Sequence, residues 1–146
     1  MINYFAYGSN MSLNRMKSRN INFYNEEVGI LENYKLVINK KSGKNPTKGF
    51  ANIIDSENEL VEGVLYQINE NDIKLLDKFE GYPKHYSRKN VPIKLKNGDI
   101  KGAIVYIATE EWISKNKLEI DDKYKNFILE GKNFVSDEYY KFLEKL

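Results

Sequence analysis

The most constraining feature is a strand running directly into a short helix near the middle of the chain. From Leu60 to Ile68, Val64, Tyr66 and Ile68 alternate with Gly63, Leu65 and Gln67. That period of two belongs to a β-strand. The period then changes. From Glu70 to Glu80 the apolar positions fit a helix, with Asn69 as N-cap, Asp72 in the first turn, and Gly81 and Pro83 as the stop. Ile73 and Leu76 define the buried arc of that helix at ~100° per residue. Glu80, seven residues after Ile73 and four after Leu76, falls on the same arc, whereas Lys74 and Lys78 point elsewhere.

A carboxylate on an apolar arc must be paired, hydrogen-bonded or kept partly neutral. The negative end of the helix dipole in the last turn acts in the same direction as burial, so both raise its pKa. An acid–base catalyst working near neutral pH needs that shift. Periodicity alone also admits a frayed last turn, with Glu80 exposed or paired to Arg88 or Lys84.

The rest of the chain supplies more strands. Ile2 to Tyr7, Val28 to Ile38, Gly49 to Ile54, Arg88 to Leu95 and Ile100 to Ala108 read as β, with Asn97-Gly98 as a hairpin turn. A helix containing Leu13 and Met16 follows a cap at Asn10 or Ser12. Another carries Ile120, Tyr124, Phe127 and Ile128 and ends near Gly131, and a last one starts at Asp137 behind Ser136, with Tyr140, Leu143 and Lys145 in register. About six locally connected strands favour antiparallel pairing. The expected class is α+β: a small mixed, mostly antiparallel barrel-like sheet with peripheral helices, forming one domain over residues 1–146.

Between the first strand and its helix stands Tyr7-Gly8-Ser9-Asn10. Successive main-chain N–H groups at such a turn suit an anion or an oxyanion. It is not a phosphate loop, since no second glycine or Gly-Lys-Ser/Thr follows, and Gly-x-Ser-x-Gly is absent too. An ordinary tight turn into a helix is the plainer alternative.

Composition narrows the chemistry. With no cysteine there is no thiol nucleophile, disulfide or thiolate metal site, and His85, the one histidine, is a poor basis for a metal centre or a Ser–His–Asp arrangement with Ser9. His85 is expected at the surface or behind the pocket wall. No cofactor and no metal are expected. A net charge of +2 gives no reason to expect nucleic acid. One stretch collects Lys35, Lys40, Lys41, Lys44 and Lys48 around Ser42-Gly43 and Asn45-Pro46, read either as a solvated loop or as an anion- or substrate-facing one. The first residues lack a basic, then apolar, leader pattern, and no apolar run approaches the ~20 residues of a membrane span, so a cytoplasmic setting without membrane contact is expected. Most of the 11 tyrosines are expected in packing, some in pocket walls.

The ordered set of motifs resembles the γ-glutamylcyclotransferase family. Tyr4-Phe5-Ala6-Tyr7-Gly8-Ser9-Asn10-Met11 is similar to its N-terminal signature, and Gly49-Phe50-Ala51-Asn52-Ile53 to its Gly-x-Ala-x-Ile strand. Val61-Glu62-Gly63-Val64-Leu65-Tyr66 resembles the strand that follows. Leu76-Asp77-Lys78-Phe79-Glu80-Gly81 resembles the Leu-Asp-x-x-Glu-Gly helix end. Tyr86, Arg88 and Val91 fit Tyr-x-Arg-x-x-Val, and Tyr124 to Gly131 fits Tyr-x-x-x-Ile-x-x-Gly. The resemblance implies the family's barrel-like α+β fold and a small-molecule γ-glutamyl substrate. It also implies Glu80 as catalytic acid–base and a substrate site lined by Tyr4, Phe5, Ala6, Tyr7, Gly8 and Ser9, with Asn10, Tyr86 and Tyr124 joining them. Asp121-Asp122 stands before Tyr124 where a Pro-Ser pair often does. A non-catalytic ligand-binding or protein-interaction module on the same fold is the alternative.

Overall fold

The computed structural model describes residues 1–146. Five strands form a closed barrel: β1 (Ile2–Ala6), β2 (Phe23–Lys41), β3 (Gly49–Ile68), β4 (Tyr86–Leu95) and β5 (Ile100–Ala108), in the order β1-β3-β2-β4-β5. Every pairing is antiparallel except β1 with β5, the parallel contact that closes the ring. Four helices lie outside: α1 (Leu13–Ser18), α2 (Glu70–Glu80), α3 (Asp122–Leu129) and α4 (Asp137–Glu144). None is long and apolar enough to cross a membrane.

The count of strands corrects the sequence reading. Gly49 to Ile54 and Leu60 to Ile68 are one strand, because β3 runs through the polar stretch Asp55–Glu59 as an irregular bulge opposite β2. Asn33 and Asn58 both take positive φ there, 65° and 66°, and the Asn58 N–H donates to Asn33 Oδ1 at 3.1 Å. Asparagine tolerates the left-handed region, so the ladder bends without breaking. The polar run is an exposed overhang of a continuous strand.

The barrel interior is fixed by a cross-strand glycine pair. Gly29 and Gly63 stand opposite one another on β2 and β3. A Cβ on Gly63 would lie 2.3 Å from the Ala6 carbonyl oxygen, and one on Gly29 would lie 2.8 Å from Ile93 and 3.0 Å from the Phe5 ring. Because β1 and β2 are not neighbours in the barrel, Phe5 reaches Gly29 across the interior. Strand alternation then sends Tyr4 to the outer face, where its ring meets Tyr66 at 6.1 Å and Tyr106 at 5.8 Å.

Local signals decide the helix ends. Ser12, rather than Asn10, caps α1 by accepting from the Arg15 N–H at 3.0 Å. Ser136 caps α4, accepting from Tyr139 N–H at 3.2 Å. Helix α2 spans the residues its periodicity predicts, buries Ile73 and Leu76, and ends on Gly81 at φ 67°. The third helix starts later than its pattern suggests, at Asp122, leaving Ile120 in the preceding segment.

Candidate active site

Strand β1 delivers its chain into a short 3-10 turn, Ser9–Met11, and the last residue of α2 arrives beside it. Between them lies a pocket lined by Tyr4, Tyr7, Gly8, Ser9, Asn10, Ala51, Glu80, Tyr86, Tyr106 and Tyr124. Elements from both ends of the chain supply these residues: β1, the turn, β3, α2, β4, β5 and α3.

Glu80 is the only carboxylate in the lining, and its side chain is 18% exposed. Asn10 Nδ2 donates to Glu80 Oε1 at 3.2 Å and to the Tyr4 hydroxyl at 3.0 Å. Asn10 is itself buried, and its Oδ1 accepts from Arg19 at 3.0 Å. The Arg19 guanidinium stands 3.9 Å from Glu80, at the outer limit of an ion pair. Burial pushes the Glu80 carboxyl above its ordinary value of 4.5, and Arg19, Arg15, Lys40 and the Asn10 bond pull back only part of that. Neither local partner suggested by sequence is used. Arg88 instead pairs with Asp77 at 3.3 Å, and Lys84 is exposed.

The tyrosines divide by hydrogen-bond role. Tyr7 and Tyr86 donate their hydroxyl protons to main-chain carbonyls, of Tyr106 at 2.5 Å and Ala51 at 2.7 Å, so their lone pairs are what they can offer a ligand. Tyr4 and Tyr124 accept, from Asn10 and from the Ala51 N–H at 3.0 Å, and each keeps a proton to donate. Burial, followed by the Glu80 charge, holds the Tyr4 and Tyr7 hydroxyls far above 10.0. Burial also takes Tyr124 to about 12, so none of these three is a phenolate at neutral pH. The main-chain N–H groups of Gly8, Ser9 and Asn10 donate to no protein acceptor.

Two residues expected in the lining are elsewhere. Phe5 points into the barrel and is fully covered, as alternation from Tyr4 requires, and Ala6 is 1% exposed and does not face the pocket. Tyr106 and Ala51 line it without having been singled out. Tyr106 lies on a strand that sequence located, and its hydroxyl donates to Asp77 at 2.7 Å. Ala51 stands within the Gly-x-Ala-x-Ile stretch. Arg19 carried no signal, because it reaches Glu80 only through the packing of α1. No three histidine, aspartate or glutamate side chains converge anywhere in the chain.

The pocket opens outward into a groove of about 400 Å³ that shares Ser9, Glu80, Tyr86 and Tyr124 with it. The lysine-rich stretch divides here. Lys40, Ser42, Gly43 and Lys44 line the groove, while Lys35 is exposed on β2.

Sequence and fold are both similar to those of known proteins. The family model described as gamma-glutamyl cyclotransferase, AIG2-like, matches residues 4–127. The gamma-glutamylcyclotransferase of Bos taurus is 29% identical over 148 residues, covering 98% of this chain and 77% of that protein. The gamma-glutamylaminecyclotransferase A of Danio rerio is 29% identical over 90 residues, 58% of this chain and 54% of that one. A solved structure described as gamma-glutamyl cyclotransferase superposes with a TM-score of 0.82 at 27% identity, covering 98% of this chain and 86% of its own. A Homo sapiens protein described as uncharacterized superposes at 0.83 with 28% identity and the same coverage. The chain belongs to the gamma-glutamyl cyclotransferase, AIG2-like family, a family of enzymes.

Proposed function

We propose that this chain cyclises a small γ-glutamyl compound to 5-oxoproline and a free amine, with Glu80 as the acid–base group. The observation that carries the reading is the largely covered Glu80 carboxylate, its pKa raised, in one pocket with Gly8, Ser9 and Asn10, whose main-chain N–H groups are unused.

The substrate's α-amino nitrogen attacks its own γ-carbonyl carbon, the ring C–N bond forms, and the amide C–N bond to the leaving amine breaks. Glu80 takes the proton the α-nitrogen sheds and returns it to the departing nitrogen, so no external acid, base or water is consumed. A raised pKa makes the carboxylate a stronger base for the first transfer while leaving it acidic enough for the second. The nucleophile is already tethered, so the walls of Tyr4, Tyr7, Tyr86 and Tyr124 have the task of folding the glutamyl chain into its attacking conformer. The free main-chain N–H groups suit an anionic oxygen of the substrate, either its α-carboxylate or the oxygen that gains charge during attack. Asn10 holds Glu80 through Oε1, leaving Oε2 for the proton.

Incubating the protein with a panel of γ-glutamyl amino acids and γ-glutamyl amines, and measuring 5-oxoproline, tests the activity. Glu80→Gln should lower the rate at least ~100-fold with the fold intact. A variant of near-normal rate removes Glu80 from the chemistry, and saturable binding by the wild type without turnover makes the chain a binding module.

A further inference from the structure

Lys40, one residue before the end of β2, is 4% exposed and is in none of the chain's ion pairs. Its Nζ lies 2.7 Å from Nδ1 of His85 and faces the rings of Trp112 at 4.8 Å, Phe50 at 5.5 Å and Tyr86 at 5.6 Å. His85 is fixed by stacking on Trp112, with ring centroids 3.8 Å apart. A buried ammonium without a carboxylate is costly, and aromatic faces return only part of the lost hydration. Burial lowers its pKa to about 8, so it still carries its charge at neutral pH.

That ammonium lines the outer groove, in company with Arg15, Arg19, Lys44 and Lys78, and the groove's only carboxylate is Glu80. Arg15 has a buried Nε with no acceptor. An ammonium has three donors, of which the imidazole takes one, and two remain for a ligand. The groove opens from the pocket at Glu80, the residue that would protonate the departing nitrogen, so the leaving half of a substrate extends past Glu80 toward Lys40.

We propose that Lys40, oriented by His85, binds a carboxylate on the leaving half of the substrate, and so selects γ-glutamyl amino acids over γ-glutamyl amines that lack one. This rests on the cyclotransferase reading and sharpens it. A cationic leaving half meets five positive side chains in the groove, and a neutral one leaves the buried ammonium without its anion, so both are disfavoured.

The test compares γ-glutamylalanine, γ-glutamylethylamine and γ-glutamylcadaverine, whose leaving halves are anionic, neutral and cationic. The wild type should prefer γ-glutamylalanine by at least ~10-fold in kcat/KM, mainly through KM. In Lys40→Met the alanine-to-ethylamine ratio should fall toward one, whereas Lys40→Arg should retain part of it. Equal use of all three compounds by the wild type, or an unchanged ratio in Lys40→Met, overturns the assignment, and the wild-type comparison stands even where a variant does not fold. Absence of 5-oxoproline from every compound overturns the cyclotransferase reading instead. Calorimetric binding of the same compounds then decides Lys40 separately: carboxylate-dependent affinity upholds its role, and equal affinities refute it.

Discussion

Glu80 should cost the fold stability at neutral pH, and Glu80→Gln should recover it with a particular pH dependence. The carboxyl titrates at about 4.5 when exposed and higher when folded, with burial the main cause. Below 4.5 both states hold the proton, and wild type and variant differ only by a constant. Above it the unfolded carboxyl ionises first, so the unfolded state binds fewer protons and the wild type loses stability as pH rises through the folded pKa. One carboxyl binds one proton, so the slope of the difference cannot exceed about 1.4 kcal/mol per pH unit. Once the folded carboxyl has ionised as well, the difference becomes flat, and the pH at which it flattens reads the folded pKa directly. Glutamine keeps an oxygen to accept from Asn10, so the 3.2 Å hydrogen bond is not what changes. The charge of Arg19, Arg15 and Lys40 works the other way, since the variant removes their anion, but the net upward shift says that burial outweighs them. Urea unfolding of both proteins at intervals from pH 4 to pH 8 measures the difference. A stability gap that stays constant across this range, or that moves in favour of the wild type as pH rises, would refute the placement of a desolvated carboxyl here.

Asn10→Ala removes the bond that favours the ionised carboxylate, so the Glu80-controlled limb of the pH–rate profile should move to higher pH; a shift downward contradicts the proposed orientation of the amide. Gly63→Ala should destabilise the barrel by about 1–3 kcal/mol or more, because its Cβ would press on the Ala6 carbonyl and the Phe5 ring, and a chemical-denaturation midpoint unchanged from the wild type would contradict the packing.

The same pocket shows how one polar residue organises several others. Buried Asn10 uses both amide protons and its oxygen, on Tyr4, Glu80 and Arg19. Its main-chain carbonyl also accepts from the Tyr66 hydroxyl at 2.7 Å. The turn is therefore tied to α1, α2, β1 and β3 at once. A buried network of this kind is stabilising only when its members are satisfied, which favours one arrangement of the pocket floor.

Much of this was written locally. The alternation over Leu60–Ile68, the arc of Ile73 and Leu76, and the stop at Gly81 put Glu80 on the apolar arc of α2 without knowledge of any other element, and the tertiary structure removed the alternative of a frayed, exposed last turn. The turn after β1 and the cap at Ser136 are read the same way, because capping and φ preferences act over a few residues. The tertiary structure decided which groups meet. Asn10 bonds Glu80 across 70 residues, and Tyr124 bonds Ala51 across 73. Arg88, close to Glu80 in sequence, turns instead to Asp77. The union of two apparent strands into β3, the inward turn of Phe5 and the burial of Lys40 among three aromatic rings likewise depend on barrel closure. Periodicity reports which face of an element is covered; the strand order and register of the closed sheet determine what covers it, and they are set by contacts between distant parts of the chain.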